Sequence, residues 1–308
     1  TVTLPLGLSF TSEFIPRLNW NRDYNSYSSG HFLWELQGGR ASRSNTTIFE
    51  WQINNMLKWN KTFGDHAFDA TFVQNAEKYN YWYDYMERQN FQPSDVLGYH
   101  RMQAATEDVS LTSNDETSTG DALLARLNYT FKSRYNLTGS FRRDGYSAFG
   151  QANPRASFWS VAGGWTISEE DFFNVDWVDQ LKLRLSYGVN GNRGVGIYDA
   201  LSNLNSGKFL LIEGGVEQYV SQLYTSRMAN ANLKWERTSA YNGGLDFAVL
   251  KGRLRGTVEA YFSITKDLII PRQLPNVTGY SSVFSNLGQV NNKGFEISLN
   301  SVNISTPD

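Results

Sequence analysis

Apolar and polar residues alternate one for one along much of this chain. In ARLNYTFK, Ala125, Leu127, Tyr129 and Phe131 alternate with Arg126, Asn128, Thr130 and Lys132. After Ser133 the pattern resumes: Tyr135, Leu137 and Phe141 share one parity, and Arg134, Asn136, Thr138, Ser140 and Arg142 share the other. Leu181, Leu183, Leu185, Tyr187 and Val189 repeat it, as do Leu254, Val258, Ala260, Phe262 and Ile264, and finally Phe295, Ile297 and Leu299. A period of two is the signature of a β-strand with unlike faces. No helical stripe of comparable length competes with it.

The pattern predicts about ten strands, with boundaries good to a few residues. They lie near 4–16, 49–63, 66–85, 121–132, 134–143, 156–168, 181–190, 235–250, 253–270 and 292–301. Gly64-Asp65, Ser133 and Lys251-Gly252 read as tight turns. Segments 17–48, 86–120, 191–234 and 271–291 read as long connections. SEEDFFNVDWVDQ, 168–180, takes a short-side position and suits a turn or two of helix. Short and long connections thus alternate, as in outer-membrane barrels with short periplasmic turns and long extracellular loops. Soluble sandwiches also alternate, but their strands average about five or six residues, whereas about nine to eleven tilted residues cross a bilayer. Trp59, Phe63, Phe68, Tyr129, Phe131 and Tyr135 cluster beside the tight turns, where an inner aromatic girdle belongs. The expected fold is therefore all-β: an antiparallel, up-and-down transmembrane β-barrel.

Composition narrows the chemistry. Formal net charge is −2 over 308 residues, so no basic field for nucleic acid exists. The chain has no cysteine, which removes disulfides, thiolate catalysis and cysteine-type zinc sites. It shows no signal-type apolar run and no apolar 20-mer; the latter excludes membrane helices, not a barrel. His31, His66 and His100 stand far apart, without a partner at zinc-ligand spacing. GNRGVG, 191–196, matches neither phosphate-loop order and fits a loop. Asp115, Glu116 and Asp121 fall in what reads as one loop; clustered oxygens can take calcium, although a solvated acidic loop is the preferred reading. Glu169-Glu170 are expected to favour a short helix's N-terminus by charge. No nucleophile–base set is assembled, so no enzyme is expected.

Residues 138 onward resemble the barrel of SusC-like TonB-dependent outer-membrane transporters. TGSFRRDGYSAFG, SVAGGWTISEEDF and LKLRLSYGVNGN carry the resemblance, followed by NLKWERTSAYNGGLDF, RLRGTVEAYFSITKDLI and LPNVTGYSSVFSNLGQVNNKGFEISLN. It covers about 121–301 well and the first 120 residues by layout only. One departure is Phe158-Trp159-Ser160, where the family commonly has a proline in the middle; it touches the geometry at which the strand begins. The resemblance implies an N-terminal plug contacting TonB, a barrel of about 22 strands and a SusD-like surface lipoprotein. This sequence shows neither plug nor TonB box, and SVNISTPD reads as a turn after the strand at 292–301. The chain, 1–308, is thus expected to be part of one barrel domain, a middle-to-late slice of a larger protein. The implied function is TonB-driven import of oligosaccharides across the Gram-negative outer membrane; the alternatives are oligopeptide import or a passive porin-like channel.

Two candidate contact sets follow. Tyr79, Tyr81, Tyr83 and Tyr85 recur at every second position after the Gly64-Asp65 turn. Asp69 and Glu77 share their parity, and charge is costly on a lipid face, so this parity faces the lumen. About eleven residues at ~3.3 Å, tilted ~45°, climb roughly 25 Å, the height of the apolar band. The tyrosines then stand at the extracellular mouth, where their rings suit sugar stacking or simply pack loops; Trp82 turns the other way. Arg142 and Arg143 end a strand on the long-loop side. Arg142 points into the lumen, as part of a salt-bridged wall by the preferred reading, or as a substrate contact.

Overall fold

The computed structural model describes residues 1–91 and 93–304. Fifteen strands are formed among the described residues: β1 (Val2–Leu4), β2 (Leu8–Tyr27), β3 (Arg40–Phe63), β4 (His66–Phe91), β5 (Ala105–Phe131), β6 (Tyr135–Tyr146), β7 (Arg155–Thr166), β8 (Val178–Asn192), β9 (Asn203–Glu213), β10 (Val216–Met228), β11 (Glu236–Val249), β12 (Leu254–Lys266), β13 (Ile269–Gln273), β14 (Ser282–Asn286) and β15 (Gln289–Ser301). Eleven make one sheet in the order β1-β2-β3-β4-β5-β6-β7-β8-β11-β12-β15, and four make a second, β13-β14-β10-β9. The only helices among the described residues are short 3-10 turns, so none is long and apolar enough to cross a membrane. By internal contacts the chain divides into two units, residues 1–12, 54–75 and 120–308, and residues 13–53 and 76–119.

In the first unit the alternation becomes two chemically distinct faces. Leu127, Gly139, Val161, Tyr187, Tyr241 and Phe262 are successive cross-strand partners on the apolar face. The opposite face is a polar ladder. Asn128 donates to Asp69 at 3.3 Å and accepts from Thr138 at 2.9 Å, and Ser140 meets Ser160 at 2.6 Å. Arg184 is clamped there: its Nε and Nη2 reach the two Asp246 oxygens at 2.7 and 2.8 Å, and Nη2 also reaches Glu259 at 2.5 Å. A slip of one residue would drive these charges onto the apolar face, so the register is strongly specified.

The short turns form where the sequence places them. Gly64 (φ +57°) lies between β3 and β4, and Gly252 (φ +72°) closes the β11–β12 turn. The rings beside them make a continuous series on the turn side: Trp59–Phe68 at 6.2 Å, Phe68–Tyr129 at 4.9 Å, Tyr129–His66 at 5.9 Å, His66–Phe131 at 4.8 Å, Phe131–Tyr135 at 6.1 Å and Tyr135–Trp165 at 6.5 Å between centroids. This is the expected girdle, extended by Trp165.

Five expectations are corrected. Segments 17–48 and 86–120 are not loops for most of their length, because β2 runs on to Tyr27, β3 starts at Arg40, β4 reaches Phe91 and β5 starts at Ala105. Two of these extensions, SRSNTT in β3 and SNDETST in β5, are polar on both faces, so no alternation marks them, yet the backbone ladder continues. Segment 191–234 holds the β9–β10 hairpin, closed by Gly214 and Gly215, and 271–291 holds β14. Glu169-Glu170 do not serve a helix N-terminus: Ile167–Glu169 is one 3-10 turn with Glu170 after it. The Glu170 carboxylate instead accepts from the Tyr135 hydroxyl, the Trp165 indole N–H and Arg134. Those donors, Tyr135 first, hold its carboxyl below the usual range. Of the expected SVNISTPD turn, residues 305–308 lie outside the described residues.

Replacing Asp246 with Ala removes two of Arg184's three contacts and is expected to cost about 1–3 kcal/mol. The readout is a lower temperature at which the full-length barrel unfolds in SDS. Asp115→Ala, at an exposed position on β5 away from the Arg184 cluster, should leave that temperature unchanged.

Candidate functional site

The tyrosine row lies in the second unit, on β4. Strand geometry sends successive side chains to opposite faces. Tyr79, Tyr81, Tyr83 and Tyr85 are half-buried, while Trp82 between them is 42% exposed. The rings of Tyr81 and Tyr83 lie 6.4 Å apart and 15° from parallel, a stacked pair spaced by the strand's own two-residue repeat.

The same face carries two ion pairs. Arg17 on β2 meets Glu50 on β3 at 2.8 Å, and Tyr79 senses both charges along with Glu116. Farther along, Arg40 on β3 meets Glu87 on β4 at 2.6 Å. Tyr85 lies within hydrogen-bonding reach of Ser42 and Glu87. The Arg40 guanidinium sits 4.8 Å from the Trp34 ring centroid, and Trp34 stacks on Tyr27 at 5.2 Å. One face therefore presents aromatic planes with phenol tips, bracketed by fixed charges of both signs. Such a surface can stack on a pyranose ring and hydrogen-bond its hydroxyls, or receive the termini and side chains of a peptide.

The opposite face is packed at the Met86–Phe91 end of β4, beyond the exposed Trp82 and Asp84. Phe91, Met102, Ala41 and Ala105 form its buried cluster, with Met86 and Tyr99 against them. The 3-10 segment Gly98–Ala104 thus backs β3 and β4 and leaves the tyrosine face clear of it. The segment after β2 is tied down as well. Asn90 N–H donates to Gln37 at 2.8 Å, Phe91 N–H to Gly38 at 3.0 Å, and Ser29 N–H donates to the Asp95 carboxylate. That last bond holds the Asp95 carboxyl below its usual range.

The other sequence candidates do not join this face. Arg142 and Arg143 belong to the first unit and, as strand neighbours, point to opposite faces. Arg142 is chelated by Asp144, Nε to both oxygens at 2.8 Å and Nη2 at 2.7 Å, the arrangement of a salt-bridged wall. It lines a cavity of about 450 Å³ with Arg126, Ser140, Asn190 and Trp235. Arg143 is exposed between Leu123 and Ser157 on the neighbouring strands. Asp115, Glu116 and Asp121 are not in a loop but within β5, where Asp115 and Glu116 face opposite ways and Asp121 is held by Arg155 at 2.6 Å. The three carboxylates do not converge.

Sequence reasoning missed Arg17, Glu50, Arg40, Glu87, Tyr27 and Trp34. Arg40 and Glu87 lie 47 residues apart, and no local motif joins them. The parity of Glu87, continuing that of the tyrosines, was the one available signal.

The family model for the TonB dependent receptor-like β-barrel matches residues 2–305. SusC of Bacteroides thetaiotaomicron is 30% identical over 313 residues, covering 90% of this chain and 30% of SusC. A TonB-dependent receptor of Formosa agariphila is 31% identical over 255 residues, covering 82% of this chain and 24% of that receptor. The chain thus spans 24% to 30% of the length of these relatives. The RagAB peptide importer in its closed-closed state superposes with a TM-score of 0.87 at 21% identity, covering 100% of this chain and 33% of that one, a likeness of fold. The alternating faces, the turn-side girdle and these matches agree: the chain belongs to the TonB-dependent receptor-like β-barrel family, is SusC-like, and forms barrel wall in the outer membrane of Gram-negative bacteria.

Proposed function

We propose that the full-length protein is a TonB-dependent importer of oligosaccharides that works with a SusD-like surface lipoprotein. One observation carries the substrate class: four tyrosines in register on one strand face, flanked by the Arg17–Glu50 and Arg40–Glu87 pairs. That face has the parity of the charged residues, which in a barrel wall is the lumen side. Aromatic planes repeating every two residues offer successive stacking platforms, and the phenols and ion pairs offer directional hydrogen bonds. The family is one of receptors and transporters rather than enzymes. Import needs only differential affinity between states and an energy source, here the pull of TonB on a plug domain.

An oligopeptide is the second reading. The two ion pairs present both charges that peptide termini require, and RagAB, similar in fold, is named a peptide importer.

Replacing Tyr79, Tyr81, Tyr83 and Tyr85 with Ala, with surface expression confirmed, should lower oligosaccharide affinity about tenfold to a hundredfold. Trp82→Ala, on the opposite face, should leave it unchanged. An unaltered affinity in the quadruple variant would reduce the row to loop packing. Displacement of bound oligosaccharide by oligopeptides, measured on the wild type, separates the two substrate classes. Dissipating the proton gradient should abolish uptake into cells; uptake that persists would mark a passive channel instead.

A further inference from the structure

The apolar face of β7, β8, β11, β12 and β15 carries an arrangement that transport does not use. Gly163, Leu185, Gly243 and Ala260 are cross-strand neighbours in one row. The next row toward the long connections is Tyr187, Tyr241 and Phe262, with Tyr187 and Tyr241 4.6 Å apart between ring centroids. Small residues below large rings leave an open, apolar groove of about 580 Å³. Its face is opposite to that of Arg184, Asp246 and Glu259, so in a barrel wall it looks at lipid.

Arg237 and Lys266 occupy the same outward face, four residues (about 13 Å) beyond Tyr241 and Phe262. They are directly opposite each other in the ladder. Like charges in that relation repel and weaken a sheet. Both side chains are exposed. The nearby carboxylates are engaged elsewhere: Glu236 accepts from Asn192 and from the Ile269 N–H, and Asp267 pairs with Lys234. Lys293 lies directly across from Phe262, at the head of the groove, and below it on β15 are the exposed apolar side chains of Phe295, Ile297 and Leu299. The cation pair and Lys293 are thus about 14 Å apart along and across the strands.

Height agrees with charge. Twelve residues separate Arg237 from the turn-side end of β11 at Val249. Tilted by about 45°, they climb roughly 28 Å, just past an apolar band of about 25 Å. The pair therefore stands at headgroup level on the long-loop side, the extracellular leaflet, and Lys293 reaches that level by extending its flexible stem upward.

We propose that this face binds the phosphorylated, multiply acylated glycolipid of the outer leaflet. An acyl chain fills the Gly163–Gly243–Ala260 groove, one phosphate meets the Arg237–Lys266 pair, and a second meets Lys293. The anion relieves the like-charge repulsion that the sheet otherwise carries, and the small residues set the depth at which the chain lies. The site stands independently of the substrate proposed above, because it lies on the opposite face of the wall.

The test uses full-length, delipidated protein in detergent and native mass spectrometry. The probes are the bisphosphorylated glycolipid anchor of lipopolysaccharide, its dephosphorylated form, phosphatidylglycerol and inorganic phosphate. The bisphosphorylated form should be retained about tenfold or more tightly than the dephosphorylated form and than phosphatidylglycerol, with no retention of inorganic phosphate. The triple variant Arg237→Gln, Lys266→Gln, Lys293→Gln should fall to the dephosphorylated level. Gly163→Leu, at a position where an added Cβ meets no atom within 4 Å, should obstruct the groove and weaken both glycolipids. Equal retention of the dephosphorylated lipid or of phosphatidylglycerol by the wild type overturns the proposal, as does unchanged retention in the triple variant. Should the triple variant not fold, the wild-type lipid comparison and Gly163→Leu decide.

Discussion

The rest of the structure depends on one constraint: inside a bilayer no backbone N–H or C=O can turn to water for a partner. A spanning sheet must pair every strand with its neighbours, and it must present one face to lipid and the other to the lumen. The ladders from β5 through β8 to β11, β12 and β15, broken only by a register shift at Ala248/Val249, are the consequence. Once the ladder is obligatory, side-chain parity decides everything else. Leu185, Tyr187 and Tyr241 go to one side, and Arg184, Asp246 and Glu259 to the other, where they neutralise one another.

The same constraint explains where polar chemistry can gather. On the lumen face polar groups satisfy each other across strands, as Asp69, Asn128 and Thr138 do, and a pair such as Arg142–Asp144 is wall before it is anything else. The tyrosine face differs in kind. Its rings are held by strand geometry, with a packed cluster at the far end of the opposite face, and its ion pairs join β2, β3 and β4. On the apolar face the exceptions are informative for the converse reason. Arg237, Lys266 and Lys293 put charge on a face that is otherwise apolar, and a lipid anion is the proposed partner that would neutralise them.

The comparison of sequence with structure turns on which residues are under that constraint. Ten strands were legible because their alternation is enforced by having lipid on one side. The upper parts of β3 and β5 were not, because residues such as Ser42, Asn45, Asn114 and Thr117 lie in stretches that have polar side chains on both faces. The same blind spot turned Asp115, Glu116 and Asp121 into a loop, when β5 separates them by parity and by length. The β9–β10 hairpin escaped notice because one face mixes Leu210 and Tyr219 with Lys208 and Ser221 and the other mixes Leu211 and Val220 with Gln218, so no clean period of two appears.

The sequence by itself determined the architecture, the turn-side girdle and the face on which Tyr79, Tyr81, Tyr83 and Tyr85 lie, because each is a matter of period and parity along one strand. It did not determine who stands beside them. Arg17 with Glu50, Arg40 with Glu87 and Trp34, and the head-on meeting of Arg237 with Lys266 are products of register between strands distant in sequence. Register is set by the whole ladder of hydrogen bonds and by burial across it, so only the tertiary structure could decide which side chains share a site.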